Sequence, residues 1–312
     1  MSEVLYQKLQ NLFKREQIRI NEPLAKHTTF QIGGPADYLL LPEEDIQVAE
    51  AVVLCKEEGV PFFILGKGSN LLVSDEGYRG VIIKLAENFS HIDIKGNKVT
   101  AQSGASLYDM ADSIAEHGLC GFEFASGIPG TLGGAVTMNA GAYGGEMKDI
   151  ISDAVVMDLN GNKHYLKKEE LRLGYRKSVV QEEHMVVLEA SFLLESGKEE
   201  DIRAGIAELT KKREEKQPLE YASAGSTFKR PEGYFAGKLI MDSDLRGYQV
   251  GNAQVSEKHC GFVINKGGAT AKEVYTLIQD VIRIVYEKQG VRLEPEVRLL
   301  GDFGIKKGKA SK

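Results

Sequence analysis

The sequence predicts an α+β fold, because segments with helical and with strand periodicity alternate irregularly along its 312 residues. Two hairpin signals support this class, since Gly96-Asn97 and Asn160-Gly161 each separate two short runs of alternating apolar residues. A doubly wound parallel sheet would need a regular strand–helix order and is therefore disfavoured. The sequence shows no internal repeat.

Apolar spacing and turn residues place the individual elements in chain order. The clearest helix starts with the capping box Thr270-x-x-Glu273 and ends before Gly290. We predict helices over residues 1–16, 43–58 (with Ile46, Ala49, Val52 and Val53 inward), 106–117, 201–216, 234–241 and 270–289, and a short charged one before Leu173. We predict strands over 37–41, 62–65, 71–74, 81–85, 185–194, 260–265 and 291–301, and hairpins over 91–102 and 154–166.

Composition and charge limit the classes of function. The hydrophobic content of 42% and charged content of 27% are typical of a soluble globular protein. A formal charge of −6 provides no basic field, so we expect no nucleic-acid partner. No apolar run approaches the roughly 20 residues of a membrane span, and the N-terminus lacks a signal-peptide pattern. The sequence therefore predicts a cytoplasmic protein without a membrane partner.

The cysteines indicate neither a disulfide framework nor a metal site. Cys55, Cys120 and Cys260 are odd in number and widely spaced, and no C-x-x-C motif occurs. Cys260 stands beside His259, a pair that would suit a nucleophile, but a small buried thiol in a strand is favoured. We expect no metal and a reducing compartment.

A glycine-rich stretch from Phe124 to Gly145 is the most informative part of the chain. Glycine lets backbone N–H groups approach a ligand closely, and clustered N–H groups favour phosphate. A solvated linker is disfavoured, because apolar residues alternate with the glycines at Ile128, Leu132, Ala135, Val136 and Met138. The pattern predicts a buried loop wrapped around a ligand.

The segment LGKGSN (65–70) is a second candidate anion loop between two strands. Its signal is weak on its own, since it lacks the third glycine and the helix of a dinucleotide-binding fingerprint. A Rossmann-type NAD(P) dehydrogenase is therefore disfavoured.

Five separated motifs occur in one order along the chain: LGKGSN, SGIPGTLGGAVTMNAGAYG (126–144), GYRKS (174–178), AGSTFKRP (224–231) and LEPEVRLLG (293–301). Together they resemble the UDP-N-acetylenolpyruvoylglucosamine reductase (MurB) family, the flavin-dependent reductases of peptidoglycan precursor synthesis. The likeness covers nearly the whole chain, and the order of the motifs is far more specific than any one glycine pattern. The chain looks like the shorter type II form, because it has no obvious room for the tyrosine-bearing inserted loop of type I members.

The resemblance implies a two-part FAD-binding fold of the vanillyl-alcohol oxidase/PCMH type, followed by a C-terminal α+β substrate-binding domain. We expect FAD-binding subdomains over 1–85 and 86–197, with residues 300–312 as a segment that could return to the first. A composition shift at Glu195–Glu200 marks the start of the substrate domain, which we place over 198–299.

By the same resemblance, Gly66–Asn70 would bind the FAD pyrophosphate with help from Ser126–Gly134, while the segment from Asn139 would lie beside the flavin. The implied FAD-binding residues are Gly66, Lys67, Gly68, Ser69, Asn70, Ser126, Gly127, Ile128, Pro129, Gly130, Gly133, Gly134, Asn139, Gly141 and Ala142.

The implied reaction is NADPH-dependent reduction of the enolpyruvyl ether of UDP-N-acetylglucosamine to a lactyl ether through FAD. Hydride would pass from flavin N5 to the vinyl carbon, and Ser226 would give a proton to the neighbouring carbon. Arg176 would bind the substrate carboxylate with its planar fork. Glu296 would polarise that carboxylate, while Glu294 is treated as structural. On isolated sequence grounds, a loop serine and an exposed arginine would be the simpler readings.

The implied substrate contacts are Tyr175, Lys177, Lys216, Arg230 and His259, of which His259 is expected to pack rather than titrate. Lys216 belongs to KKREEK (211–216), which is most simply a solvated helix face. The protein would be a monomer. Two alternatives stay open: another FAD-dependent oxidoreductase of the same fold, and a non-catalytic flavin-binding regulator. Covalent FAD attachment is disfavoured, because residues 126–145 contain no His or Cys.

Overall fold

The structure, a computed structural model, describes residues 3–304, which form two compact units. The first unit comprises the described residues up to Ile20, Tyr38–Lys67 and Gly80–Glu215. The second unit comprises Asn21–Asp37, Gly68–Arg79 and the described residues from Lys216 onward. Most of the predicted segment 300–312 lies outside the described residues, and the division into three domains stays a prediction.

The helices and strands of the described chain follow the predicted α+β order. The helices are α1 Glu3–Leu12, α2 Asp45–Glu57, α3 Leu107–Glu116, α4 Leu132–Thr137, α5 Met147–Ile150, α6 Val179–Glu182, α7 Glu199–Lys216, α8 Ala236–Asp242 and α9 Ala271–Gln289. The strands are β1 Ile18–Pro23, β2 Pro35–Leu40, β3 Phe62–Leu65, β4 Leu71–Val73, β5 Tyr78–Lys84, β6 Ile92–Lys95, β7 Lys98–Gln102, β8 Leu119–Cys120, β9 Gly141–Ala142, β10 Gly145–Glu146, β11 Ile151–Met157, β12 Lys163–Lys167, β13 Val186–Leu193, β14 Glu195–Ser196, β15 Ala222–Ser226, β16 Gln249–Val250, β17 Ala253–Val255, β18 Phe262–Asn265 and β19 Arg298–Leu300.

The first unit is built around an antiparallel sheet with the strand order β12-β11-β13-β7-β6. Apolar residues of α3 and α4, among them Leu107 and Val136, form one core with residues of this sheet such as Phe192. A second hydrophobic core joins α1 and α2 to β5. Strand β5 belongs to a sheet of order β1-β2-β5-β3, in which β3 and β5 are parallel. Each fully buried large apolar side chain stabilises the fold by about 1.5–3 kcal/mol.

The second unit combines an antiparallel sheet of order β15-β18-β17-β16 with the long helix α9. The capping box is confirmed, since Thr270 and Glu273 bond each other's backbone N–H groups, and Gly290 ends α9 with a φ of +69°. Asp75 strengthens the start of α9, because its carboxylate accepts hydrogen bonds from the N–H groups of Ala271 and Lys272 at 2.7 and 3.0 Å. Strand β19 pairs with β4 in parallel.

Most predicted elements are confirmed, including both hairpins, but four assignments are wrong in detail. The expected charged helix before Leu173 is a series of turns, because Arg172 adopts a left-handed φ of +48° there. Ile46 is 56% exposed, since the buried face of α2 follows the i, i+3, i+4, i+7 spacing of Val48, Ala51, Val52 and Cys55.

The other two errors concern the length of strands. Cys260 is buried as expected, but it precedes β18 rather than lying in it. The final strand is only Arg298–Leu300, because Pro295 upstream forms an isolated bridge with Phe228 instead.

Candidate active site

The glycine-rich stretch folds as a helix between two turns rather than as a continuous loop. Its apolar residues Leu132, Ala135 and Val136 are buried on α4, which confirms that the stretch is not a solvated linker. The backbone N–H of Gly133 donates to the carbonyl oxygen of Ser103 at 2.7 Å. A Cβ on Gly133 would lie 2.7 Å from the Ser103 Cβ, so this glycine permits close packing and its N–H is already bonded.

The start of LGKGSN lies against this stretch within the first unit. A Cβ on Gly66 would lie 2.3 Å from the hydroxyl oxygen of Thr131, so only glycine fits there. Lys67 Nζ donates a hydrogen bond to Ser106 Oγ at 2.7 Å, and Ser106 forms a bridge with Thr131. The structure thus brings two of the predicted cofactor motifs together.

Asn139 is nearly fully buried, and its side chain is occupied inside the protein. Its Nδ2 donates to Glu146 Oε2 at 2.7 Å and to the carbonyl oxygen of Gly174 at 3.1 Å, while its Oδ1 accepts from the N–H of Lys148. Asn139 also has a left-handed φ of +44°. The Lys148 ammonium, followed by the Asn139 amide, lowers the pKa of Glu146, which keeps this network ionised.

The predicted substrate residues of GYRKS form a tight turn. Gly174 and Lys177 exchange both backbone hydrogen bonds, at 3.0 and 3.1 Å, so Tyr175 and Arg176 occupy the two central positions. Arg176 has a φ of +54°, a conformation that favours glycine or asparagine and costs an arginine on the order of 1 kcal/mol. Its guanidinium carbon lies 5.2 Å from the Tyr175 ring centroid, and Lys177 pairs with Glu182 at 2.8 Å.

Ser226 lies at a β-bulge in the second unit. The pairing of β15 with β18 shifts register between Ser223 and Ser226, and Gly225 adopts a φ of +73° within this irregularity. A bulge redirects the side chains beside it and is common at active sites. Ser226 is exposed, whereas the neighbouring Thr227 is buried.

The structure brings the Glu296 segment beside the Ser226 strand. The N–H of Glu296 donates to the carbonyl oxygen of Thr227 at 2.8 Å, and Lys229 N–H donates to Glu294. Asn70 Nδ2 donates to the carbonyl oxygen of Glu296 at 3.2 Å. Three motifs that are far apart in sequence therefore meet within the second unit.

The remaining predicted substrate residues of the second unit have different surroundings. Lys216 is exposed at the end of α7, and the Arg230 guanidinium lies 4.1 Å from the centroid of Phe235. His259 packs edge-on against Phe262, its Nδ1 accepts the N–H of Gly261 at 3.0 Å, and burial lowers its pKa. A neutral, packed imidazole agrees with the expectation for His259.

Sequence reasoning missed Arg213, which was assigned to a solvated face. Arg213 is partly buried, and a Cβ on Gly127 would lie 3.0 Å from its Nη1. Burial lowers the pKa of this guanidinium, and within residues 3–304 no hydrogen bond or ion pair joins it to another side chain. A partly buried cation without a carboxylate partner is a signal for an anionic ligand, and the charge run in the sequence hid this signal.

These features fit a dinucleotide such as FAD. A phosphate-binding surface uses close backbone approach and polar groups without a protein partner. Here they are Gly66 against Thr131, Gly127 beside Arg213, and the buried Ser103 hydroxyl, which has no hydrogen-bond partner among the described residues. Among the described residues, no group of three or more His, Cys, Asp or Glu side chains could hold a metal ion. Within the same range, no helix is long and apolar enough to cross a membrane.

Comparison with known proteins first defines the class. Residues 36–165 match the family model described as FAD binding domain, so the chain is an FAD-binding protein. Residues 217–300 match the model described as UDP-N-acetylenolpyruvoylglucosamine reductase, C-terminal domain.

Full-length relatives then define the family. The chain is 55% identical to the UDP-N-acetylenolpyruvoylglucosamine reductase of Lachnoclostridium phytofermentans, over 97% of this chain and 99% of that protein. It is 49% identical to the enzyme of the same name from Caldanaerobacter subterraneus subsp. tengcongensis, over 97% of this chain and 100% of that protein. The crystal structure of the Thermus caldophilus MurB is similar with a TM-score of 0.79 and 36% identity, covering 91% of this chain and 100% of that chain. The chain belongs to the UDP-N-acetylenolpyruvoylglucosamine reductase (MurB) family.

Proposed function

We propose that the protein reduces UDP-N-acetylglucosamine enolpyruvate to UDP-N-acetylmuramate, with FAD as cofactor and NADPH as reductant, in peptidoglycan precursor synthesis. The observation that carries the proposal is the 55% identity to a reductase of this name over 97% of the chain. The activity belongs in the cytoplasm, since Cys55, Cys120 and Cys260 are free thiols. We also propose that the protein acts as a monomer.

FAD is held by the residues of the two glycine motifs. Gly66, Lys67 and the segment Ser126–Gly134 would take its phosphates, with Gly68, Ser69 and Asn70 as further contacts. Arg213 adds a guanidinium to this set, which compensates phosphate charge better than a solvated lysine because it is already desolvated. When bound, FAD would supply hydride transfer from NADPH to the vinyl carbon of the substrate.

Three side chains of the protein handle the substrate. Arg176 binds the substrate carboxylate and stabilises the negative charge that develops there. Glu296 polarises the same carboxylate. Ser226 donates a proton to the carbon beside it, and its exposed position at the bulge leaves the hydroxyl accessible to a ligand. Tyr175, Lys177, Lys216, Arg230 and His259 would be further contacts of the nucleotide sugar.

An anaerobic flavin spectrum tests the proposal. The purified protein should be yellow, NADPH should bleach it, and the enolpyruvyl sugar should then restore the oxidised spectrum. Bleaching without restoration by the enolpyruvyl sugar would leave an FAD oxidoreductase with another acceptor. A colourless protein that FAD cannot reconstitute would refute the cofactor assignment itself.

A further inference from the structure

Gln181 connects the glycine-rich stretch to the Arg176 turn. Its Nε2 donates to the carbonyl oxygen of Thr137 at 2.6 Å and to the carbonyl oxygen of Arg176 at 3.2 Å. One amide group therefore bonds the end of α4 and the backbone of a predicted catalytic residue at the same time.

Thr137 is a fixed anchor for this connection. It is the last residue of α4, and carbonyl groups in the last turn of a helix lack partners within that helix. Ser178 Oγ also donates to the Thr137 carbonyl oxygen, at 2.5 Å, while its neighbour in the chain belongs to the Arg176 turn. The turn is thus tied to the α4 terminus from two side chains.

Arg176 needs such support because its backbone is strained. A left-handed arginine persists only where surrounding contacts hold it. Asn139 bonds the carbonyl oxygen of Gly174 on one side of the turn, and Gln181 bonds the carbonyl oxygen of Arg176 on the other. Without the second bond, fewer contacts oppose rotation of the Arg176 peptide toward the ordinary φ < 0 region, a rotation that would move the guanidinium.

We propose that Gln181 is a positioning residue that holds the Arg176 guanidinium in the geometry for the substrate carboxylate. The inference rests on the proposed function for the role of Arg176. Gln181 contacts the backbone of Arg176 and is not itself assigned a contact with substrate. The hydrogens of its amide are what the role requires, because both partners are carbonyl oxygens and accept only.

Two substitutions at one position separate donor chemistry from size. Gln181→Glu keeps the shape but places acceptor oxygens against two carbonyl groups, while Gln181→Lys retains a donor. Gln47→Glu is the matched control. Gln47, in α2, also donates from Nε2 to a backbone carbonyl oxygen, that of Leu12 at the end of α1, at 3.2 Å. Loss of stability at Gln47 should resemble that at Gln181.

Stopped-flow half-reactions give the functional readout. Gln181→Glu should slow flavin reoxidation by the enolpyruvyl sugar and raise the KM for this sugar by about tenfold. This effect is the size expected for loss of one to two hydrogen bonds that position Arg176. Flavin reduction by NADPH should be unchanged. Gln181→Lys should recover most of the reoxidation rate, and Gln47→Glu should not affect it.

Hydrogen exchange at the Lys177 amide gives a readout independent of activity, because that N–H bonds the Gly174 carbonyl oxygen only when the turn is formed. Protection should fall in Gln181→Glu and persist in Gln181→Lys and Gln47→Glu. Equal protection in all variants would overturn the inference, as would equal kinetic losses in Gln181→Glu and Gln181→Lys. A wild-type enzyme that the enolpyruvyl sugar does not reoxidise would instead refute the proposed function, while the exchange result would still decide whether Gln181 holds the turn.

Discussion

The side-chain amide of Asn70 donates a hydrogen bond to the main-chain carbonyl oxygen of Glu296, at 3.2 Å. Two backbone hydrogen bonds hold the same segment. Arg298 N–H donates to the Asn70 carbonyl oxygen at 3.1 Å, and Glu296 N–H donates to the Thr227 carbonyl oxygen. Asn70 therefore orders the segment that carries a proposed catalytic carboxylate. A motif proposed to bind FAD therefore also orders the segment of a proposed substrate residue.

Replacing Ser226 by alanine separates the two half-reactions. We expect Ser226→Ala to leave flavin reduction by NADPH nearly intact and to slow reoxidation by the enolpyruvyl sugar by about a hundredfold or more, the usual contribution of a positioned acid. Stopped-flow absorbance measures both rates. Ser223→Ala, in the same strand, is the control and should change neither; a Ser226→Ala variant impaired in both half-reactions would make Ser226 structural.

Gly225→Ala tests the bulge beside Ser226. Space is available for the new methyl group, since nothing lies within 4 Å of a Cβ there, but a φ of +73° strains any residue with a Cβ. We expect a stability loss of about 1 kcal/mol and slower reoxidation.

Gly233→Ala is a matched control for that change, because its φ is +75° and its Cβ would also meet open space. It should lose similar stability in a urea titration without the kinetic effect. Unchanged reoxidation in Gly225→Ala would show that the bulge does not aim Ser226.

Gly68→Val should lower FAD retention. A Cβ on Gly68 would lie 2.3 Å from the carbonyl oxygen of His27, and its φ of +62° adds strain. Gly96→Val is the control, with a φ of +58° and open space around its Cβ. The ratio of flavin absorbance to protein absorbance after gel filtration measures retention, and a fully loaded Gly68→Val protein would remove Gly68 from the cofactor site.

Arg213→Ala should weaken FAD binding about tenfold or more, as expected for loss of a charge-assisted hydrogen bond. Lys212→Ala is the neighbouring control, because Lys212 is exposed and pairs with Glu208 at 2.5 Å. Fluorescence titration of the apoprotein with FAD gives both dissociation constants. Equal constants for Arg213→Ala and wild type would return Arg213 to a packing role.

His259 should make stability depend on pH on the acid side. Burial lowers its pKa below 6.5, so the unfolded state binds the proton first and stability falls as pH decreases through 6.5 and below. We expect His259→Gln to flatten the fall in urea midpoint between about pH 6.5 and 5. An identical dependence of the urea midpoint on pH in His259→Gln would mean that other groups cause the loss of stability at low pH.

The sequence predicted elements with strong periodicity and failed where tertiary contacts decide. Helix α9 was predictable because its capping box, apolar stripe and terminal glycine agree. The inward face of α2 was not, since two neighbouring registers of apolar residues compete and only packing selects Val48 over Ile46.

The candidate site shows the same limit. Glycine spacing together with the family resemblance predicted Gly66 and the 126–134 segment, but no local pattern distinguishes half-buried Arg213 from the solvated lysines around it. The left-handed φ of Arg176 and its bond to Gln181 were equally invisible, because an arginine in GYRKS carries no turn signal of its own.

The parallel pairing of β19 with β4 has a consequence for synthesis on the ribosome. Leu71–Val73 emerges early, yet its partner strand Arg298–Leu300 is translated more than two hundred residues later. Until Arg298–Leu300 is made, the apolar strand Leu71–Val73 lacks this partner strand, which favours chaperone binding or aggregation of nascent chains. A chain truncated after residue 297 would lack Arg298–Leu300, so Leu71–Val73 would stay without this partner strand.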